Sequence, residues 1–401
     1  MTDFCLDIDL AHQSVAGLGT QLKDDYSVRE NAARIVWNHL TEPGDGIAGL
    51  IVDAYGAADG LDRLVADARG GYDALSPLLD QKTHSDALRR WLPRLSQQAV
   101  SDTVALAQRR GIALVVPGDD GWPLELGDLG VHAPICLWVR GTPSLLRSSV
   151  PQAAIVGARA ATAYGEHVAM ELASELAASG VAIVSGAAYG IDGAAHRAAL
   201  IAGGTTIALM AGGVDRSYPA GHTQLLDRIA ETGVVASETP PGSAPTKWRF
   251  LQRNRIIAAL ASGTVVVEAG WRSGSLNTAG HAAQLCRPLG AVPGPITSAT
   301  SAGCHRLFRE FGAQCVTSAS DVRELLGMSA SDDATAVLDL AGTDDTTRVL
   351  DALSARVWRE TADVARRAGM IPEEVEAALG MLTLDAKAER SPRGWRRNSE
   401  R

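Results

Sequence analysis

Val181-Ala182-Ile183-Val184-Ser185-Gly186-Ala187-Ala188-Tyr189-Gly190-Ile191-Asp192 decides the fold class of this chain. Four consecutive apolar residues fit a strand covered on both faces. Ser185 to Gly190 then supplies small residues and two glycines, which let a chain turn closely. From Ile191 to Ile201 apolar residues return at helical spacing. The same unit recurs on either side. Ala153 to Val156 reads as a buried strand, followed by Gly157-Ala158-Arg159 and a helix from Glu166 to Ser179. Thr206 to Met210 reads as a strand before Ala211-Gly212-Gly213-Val214-Asp215, with a helix from His222 to Thr232. Further strands are expected at Val234 to Ala236, Thr264 to Glu268 and Leu289 to Val292, and helices at Arg255 to Leu260 and Thr278 to Leu285. Apolar strands alternating with helices imply an α/β fold with a doubly wound, mostly parallel sheet.

The flanks differ in character. Residues 1–110 read as a helical domain of short helices broken by glycines, of a SAM or helix-hairpin-helix-like type. Two more strands are expected at Ile112 to Val116 and Ile135 to Val139, placing the α/β domain at 111–326. Residues 327–347 are acidic and rich in small residues, a linker composition. Residues 348–401 carry three short helices, Arg348 to Leu353, Arg359 to Ala368 and Pro372 to Leu382, then a basic tail from Arg390 to Arg401. This is a winged-helix-like module. Glu373, Glu374 and Glu376 in its third helix oppose insertion into DNA, so the module is expected to contact protein.

Composition narrows the function. The 401 residues carry a net charge of −9, which excludes a globally basic nucleic-acid coat, and 46% hydrophobic content supports a substantial core. Between 151 and 322 the chain is near neutral, and 11 of its 12 cations are arginine. Arginine recognises phosphate with two parallel hydrogen bonds, so a few can suffice. The five cysteines form no CxxC pair, which fits a reduced, cytoplasmic setting. With no apolar run near membrane-spanning length and no N-terminal signal, a soluble protein away from membranes is expected.

Ligands of doubly wound sheets sit beyond the carboxyl ends of the strands. Every glycine-rich segment quoted above falls at such an end, as does Glu268-Ala269-Gly270-Trp271-Arg272-Ser273-Gly274-Ser275-Leu276-Asn277-Thr278. Between them lies Lys247-Trp248-Arg249-Phe250, then Arg253-Asn254-Arg255. This is a layout for holding phosphate: glycine admits backbone N–H groups to an anion, and arginine and hydroxyls add donors. The candidate contacts are Gly157, Arg159, Ser185, Gly186, Lys247, Arg253, Asn254, Arg255, Arg272, Ser273, Gly274, Ser275, Asn277 and Thr278. Asn254 is expected to cap a helix beginning at Arg255. Trp248 or Phe250 offers a face for a base, or belongs to the core. Glu268 is expected to orient arginines, and His196, four residues after Asp192, to make structural hydrogen bonds. No GxGxxG or GxxxxGK[ST] pattern occurs, so no cofactor is expected; neither a metal cluster nor a nucleophile–base pair is evident.

These motifs resemble those of the DNA-processing protein A (DprA/Smf) family, from about Trp122 to Leu325. The resemblance rests on Val156-Gly157-Ala158-Arg159, on Ser185 to Asp192 with His196, and on Gly213-Val214-Asp215 with Tyr218-Pro219. It rests also on Ser237-Glu238, Arg253-Asn254-Arg255-Ile256-Ile257, Val267-Glu268-Ala269, Ser273-Gly274-Ser275-Leu276 with Thr278-Ala279, and Val292-Pro293-Gly294. Two positions depart from the family's habit: Ala158 stands where serine is common, and Ala211 where glycine is frequent. The resemblance implies an extended Rossmann-like domain that binds single-stranded DNA, forms a homodimer and helps load the RecA recombinase, protecting and processing incoming DNA in transformation. It implies no enzyme. Arg159, Arg253 and their neighbours would contact DNA phosphates. The alternative is a nucleotide-processing enzyme like the phosphoribohydrolases, using Glu268, His196 and Asp192; the PGGxGTxxE pattern of those enzymes is absent.

Overall fold

The computed structural model describes residues 4–147, 149–328 and 345–398. The chain divides into two compact units, one ending at residue 330 and one beginning at 331. Residues 329–344, most of the expected acidic linker, lie outside the described residues.

The first unit opens with α1 (Ile8–Val15), α2 (Asp25–Leu40), α3 (Gly46–Tyr55), α4 (Ala57–Gly70), α5 (Gln81–Trp91) and α6 (Gln97–Arg109). Five of these begin at a side-chain cap: Asp7, Asp24, Asp45, Asp80 and Ser96 each accept backbone N–H groups of the first turn. Such a cap is worth about 1 kcal/mol, enough to fix where a short helix starts. Inside, Trp37 and Trp91 meet edge to face, with ring centroids 5.4 Å apart.

Among the described residues nine strands form one sheet: β1 (Ala113–Val115), β2 (Leu137–Gly141), β3 (Gln152–Val156), β4 (Ala182–Ser185), β5 (Thr206–Leu209), β6 (Val234–Ser237), β7 (Gly263–Val266), β8 (Leu289–Ala291) and β9 (Gln314–Cys315). Their order is β1-β2-β6-β5-β4-β3-β7-β8-β9. From β6 to β9 every pairing is parallel, and β1 and β2 extend the sheet antiparallel. The helices between are α7 (Ala163–Ala178), α8 (Ile191–Ile201), α9 (Thr223–Thr232), α10 (Lys247–Leu260), α11 (Ser275–Gln284), α12 (Ala302–Glu310) and α13 (Ala319–Leu325). The chain builds outward from β3 in one direction through β4, β5 and β6. It then returns to β7 and builds the other way. The crevice at that reversal lies between the carboxyl ends of β3 and β7.

The helix α10 corrects the sequence reading. It starts at Lys247, not Arg255, and its cap is Thr246, whose hydroxyl accepts the Arg249 N–H. Asn254 therefore sits mid-helix and caps nothing. The first turns of α10 are too polar to show an apolar stripe, whereas Arg253 to Leu260 is buried throughout.

The N-terminal helices do not fold apart from the sheet. The Asn38 amide on α2 donates to the Glu238 carbonyl at 2.6 Å and its Oδ1 accepts the Trp138 indole at 2.9 Å. Arg255 holds the Glu238 carboxylate with two hydrogen bonds of 2.7 Å, and Glu238 also accepts the Gly44 N–H. This buried network joins α2, β2, the end of β6 and α10. His196 on α8 is fully buried, with Nδ1 2.7 Å from the Thr206 hydroxyl of β5.

The second unit contains α14 (Asp345–Ala352), α15 (Thr361–Ala368) and α16 (Pro372–Leu384), then a hairpin of β10 (Ala388–Ser391) and β11 (Gly394–Arg397). Its core is built on Val349, Val364, Val375, Leu379 and Trp395. The segment read as a basic tail is thus paired sheet as far as Arg397. Arg390, Arg393 and Arg397 are exposed while Trp395 is buried.

Two measurements check these packing arguments. Arg255→Ala leaves Glu238 buried and unpaired, so chemical denaturation should show a loss of about 3–5 kcal/mol. Burial pushes the His196 imidazole down to about 3. The folded state then refuses a proton that the unfolded chain accepts below about pH 6.5. The associated stability is full above that pH and is lost as pH falls towards 3. The denaturation midpoint should drop between pH 7 and 4, and His196→Gln should flatten that drop.

Candidate nucleic-acid interface

The crevice at the β3–β7 reversal is an open cavity of about 710 Å³. Three segments build it. The loop after β3 supplies Gly157, Ala158 and Arg159; α10 and the residue before it supply Thr246, Lys247, Phe250, Arg253 and Asn254; the loop after β7 and the start of α11 supply Arg272, Ser273, Gly274, Ser275 and Thr278. Gly157 is required by closeness: a Cβ there would lie 2.5 Å from Ile191 Cγ1 and 3.0 Å from the Glu268 carbonyl oxygen. Gly190 turns the chain into α8 at φ 72°, in the region that favours glycine.

Arg253 forms the floor. It is 7% exposed, and its Nη1 donates to the carbonyl of Gly186 at 2.7 Å and to that of Leu209. Asp192, also buried, accepts the N–H groups of Gly186 at 3.1 Å and Ala188 at 3.4 Å. Burial raises the Asp192 pKa and nearby Arg253 opposes that rise. Burial likewise lowers Arg253, to about 10; Asp192 resists the fall and Arg159 adds to it. The guanidinium stays charged at neutral pH. Asp192 is the one acid among the cavity's lining residues.

Above this floor stand Arg159, Lys247 and Arg272. All three are exposed, and none has a carboxylate partner among the described residues. The Arg159 guanidinium lies 4.7 Å from the Phe250 ring centroid, and that of Arg253 lies 5.8 Å from it. Tyr218 packs obliquely on Phe250, ring centroids 5.4 Å apart. Such rings order the cations at modest cost, because each guanidinium keeps an attractive face. Asn254 fixes the third wall, donating to the Gly274 carbonyl at 3.3 Å.

Four candidate contacts do not line the cavity. Arg255 is 3% exposed and committed to Glu238, on the other side of α10. The Ser185 hydroxyl is fully buried and donates to the Ile155 carbonyl at 2.6 Å. Gly186 gives its carbonyl to Arg253 and its N–H to Asp192. Asn277 accepts from Asn254 at 3.2 Å. Glu268 is also corrected, since it does not orient arginines. Its carboxylate accepts the Thr162 N–H and the hydroxyls of Thr162 and Thr300, and it borders a separate cavity with Tyr164 and Pro293. Tyr218 and Thr246 line the main cavity without having been candidates. Tyr218 stood in a quoted motif, but an uncharged ring away from the cations gave no signal of a contact. Among the described residues no group of three or more His, Cys, Asp or Glu is placed to hold a metal ion, and no helix is long and apolar enough to cross a membrane.

The chain is similar to known proteins. A DprA-type relative from Mycobacterium tuberculosis (strain H37Rv) is 46% identical over 310 residues, covering 74% of this chain and 79% of its own. The DNA processing protein DprA of Streptococcus pneumoniae (strain R6) is 44% identical over 208 residues, or 51% of this chain and 71% of that protein. The X-ray structure of DNA processing protein A from Streptococcus pneumoniae superposes with a TM-score of 0.57 at 32% identity, covering 74% of this chain and 97% of that one. The profile of the DNA recombination-mediator protein A family matches residues 113–327, which hold the sheet and the whole cavity. By that match, and by its identity to DprA-type proteins over most of its length, this chain belongs to the DNA recombination-mediator protein A (DprA/Smf) family.

Proposed function

We propose that this protein binds single-stranded DNA, with the phosphates of a short stretch seated in the β3–β7 cavity. One observation carries the reading: Arg159, Lys247 and Arg272 stand exposed and unpaired around a floor already made positive by Arg253. Free cations on a surface are cheap, but three converging on glycine-lined backbone form a site for a polyanion. The family's description as a recombination mediator fits a protein that protects and processes incoming strands and passes them to the RecA recombinase as a homodimer. A cytoplasmic setting fits free Cys5, Cys136, Cys286, Cys304 and Cys315. The second unit serves protein contacts in this reading, because Glu373 and Glu374 open the helix that would face DNA.

A nucleotide-hydrolysing centre has no observation in its favour. Asp192 is engaged by backbone amides, His196 by Thr206, and Glu268 by threonines beside a different cavity. The role proposed for this site is therefore binding without catalysis.

A titration of fluorescent oligothymidylate at several salt concentrations tests the reading. Affinity should fall with salt at a slope of about −0.7 per phosphate neutralised. Arg159→Ala or Arg272→Ala should cost roughly 1.5–3 kcal/mol of binding and make that slope shallower, with little loss of thermal stability because neither guanidinium is buried or paired with a carboxylate. Equal affinity for single and double strands, or no binding at low salt, would refute the proposal. Release of free base from nucleoside monophosphates, abolished by Glu268→Gln, would favour the enzyme instead.

A further inference from the structure

Aromatic residues are scarce in this chain, at 4%, and its tryptophans are mostly interior. Trp37, Trp91 and Trp138 are among the largest fully buried side chains. Trp248 and Trp271 break the pattern at 56% and 53% exposure. Each is the immediate chain neighbour of an unpaired cation that lines the main cavity: Lys247 precedes Trp248 on α10, and Arg272 follows Trp271 on the loop after β7. Neither tryptophan lines that cavity itself. Each is thus one residue from the lining, on two different walls.

Trp248 forms one side of a second hollow, of about 540 Å³, with Ile47, Leu50, Val131 and His132. An exposed indole facing an apolar floor suits a flat heteroaromatic ring. The carboxylates bordering the hollow are already engaged. Glu42 pairs with Arg94 and Arg249, while Asp45 pairs with Arg90 and accepts the Trp91 indole N–H. They would not repel a passing phosphate as bare anions would. On the other wall the Arg306 guanidinium lies 5.4 Å from the centre of the Trp271 ring, holding a cation beside the aromatic face.

We infer that the bound strand continues beyond the cavity over both walls, stacking one base on Trp248 and another on Trp271. Lys247 and Arg272 meet the phosphates between. This rests on the single-strand reading above and extends it. The cavity grips backbone without regard to sequence, and the indoles add base contacts that are equally tolerant, since every base has a flat face. It also gives the N-terminal helices a share in the binding surface, because α3 supplies Ile47 and Leu50 to the hollow under Trp248.

The test uses the full chain and oligothymidylates of increasing length, read by fluorescence anisotropy. Trp248→Ala and Trp271→Ala should each weaken a long strand by roughly ten-fold. Each should leave a dinucleotide that fills only the cavity nearly unaffected, and Trp248→Phe and Trp271→Phe should retain most of the long-strand affinity. Unchanged long-strand binding in the alanine variants would overturn the inference, as would equal losses on short and long strands. So would a shift in the sedimentation of DNA-free protein with strand affinity intact, since the indoles would then serve contacts between copies of the chain. Arg159→Ala separates the two levels. If it too leaves binding unchanged, the single-strand reading itself fails; if it alone weakens binding, only the stacking inference fails.

Discussion

The buried guanidinium of Arg253 is the interaction on which the cavity depends. It reaches from α10 to the carbonyls of Gly186 and Leu209, which end two adjacent parallel strands. Removing a cation from water is costly unless its protons find acceptors, and these carbonyls together with nearby Asp192 offset that cost. The same bonds lock the end of β4, the end of β5 and the middle of α10 into one arrangement. Gly186 must be glycine for this, because a Cβ there would lie 2.2 Å from the Arg253 guanidinium. The floor is therefore rigid and positive before any ligand arrives, so binding need not pay to order it.

Arg255 shows what the helix does to a sequence motif. Residues two apart on an α-helix point about 200° apart around its axis. Arg253 faces the cavity, and Arg255 faces the N-terminal helices and Glu238. Read as a loop, Arg253-Asn254-Arg255 looks like one cluster. As helix it is two anchors, with Asn254 tying the loop before α11. One short segment thus serves both the cavity and the joint between the helical segment and the sheet.

Much of the architecture was legible because the strands are unbroken apolar runs. Ala153 to Val156, Val181 to Val184 and Thr206 to Met210 allow no half-exposed sheet, and the structure places all three in its interior. Ten of the fourteen candidates line the cavity, most of them because they follow β3 or β7 or open α10 or α11, and the topology gathers such positions in one place. The errors share a cause as well. Ser185, Gly186 and Asn277 have polar groups suited to a ligand, but local partners claim them first, and no spacing rule reveals that competition. The polar first turns of α10 hid its true start. The antiparallel β10–β11 pair hid behind its arginines, because a two-strand sheet buries little and needs few apolar residues.

The far edge of the large sheet is the two-residue β9, with Gln314 and Cys315 both exposed. An open edge is a template for another chain's backbone, and its reach scales with its length. Here the rim is two residues long, and at the opposite edge the three-residue β1 has its Leu114 N–H taken by the Leu18 carbonyl. Both margins of the sheet are therefore short and offer little template for the edge-to-edge growth that leads to fibres.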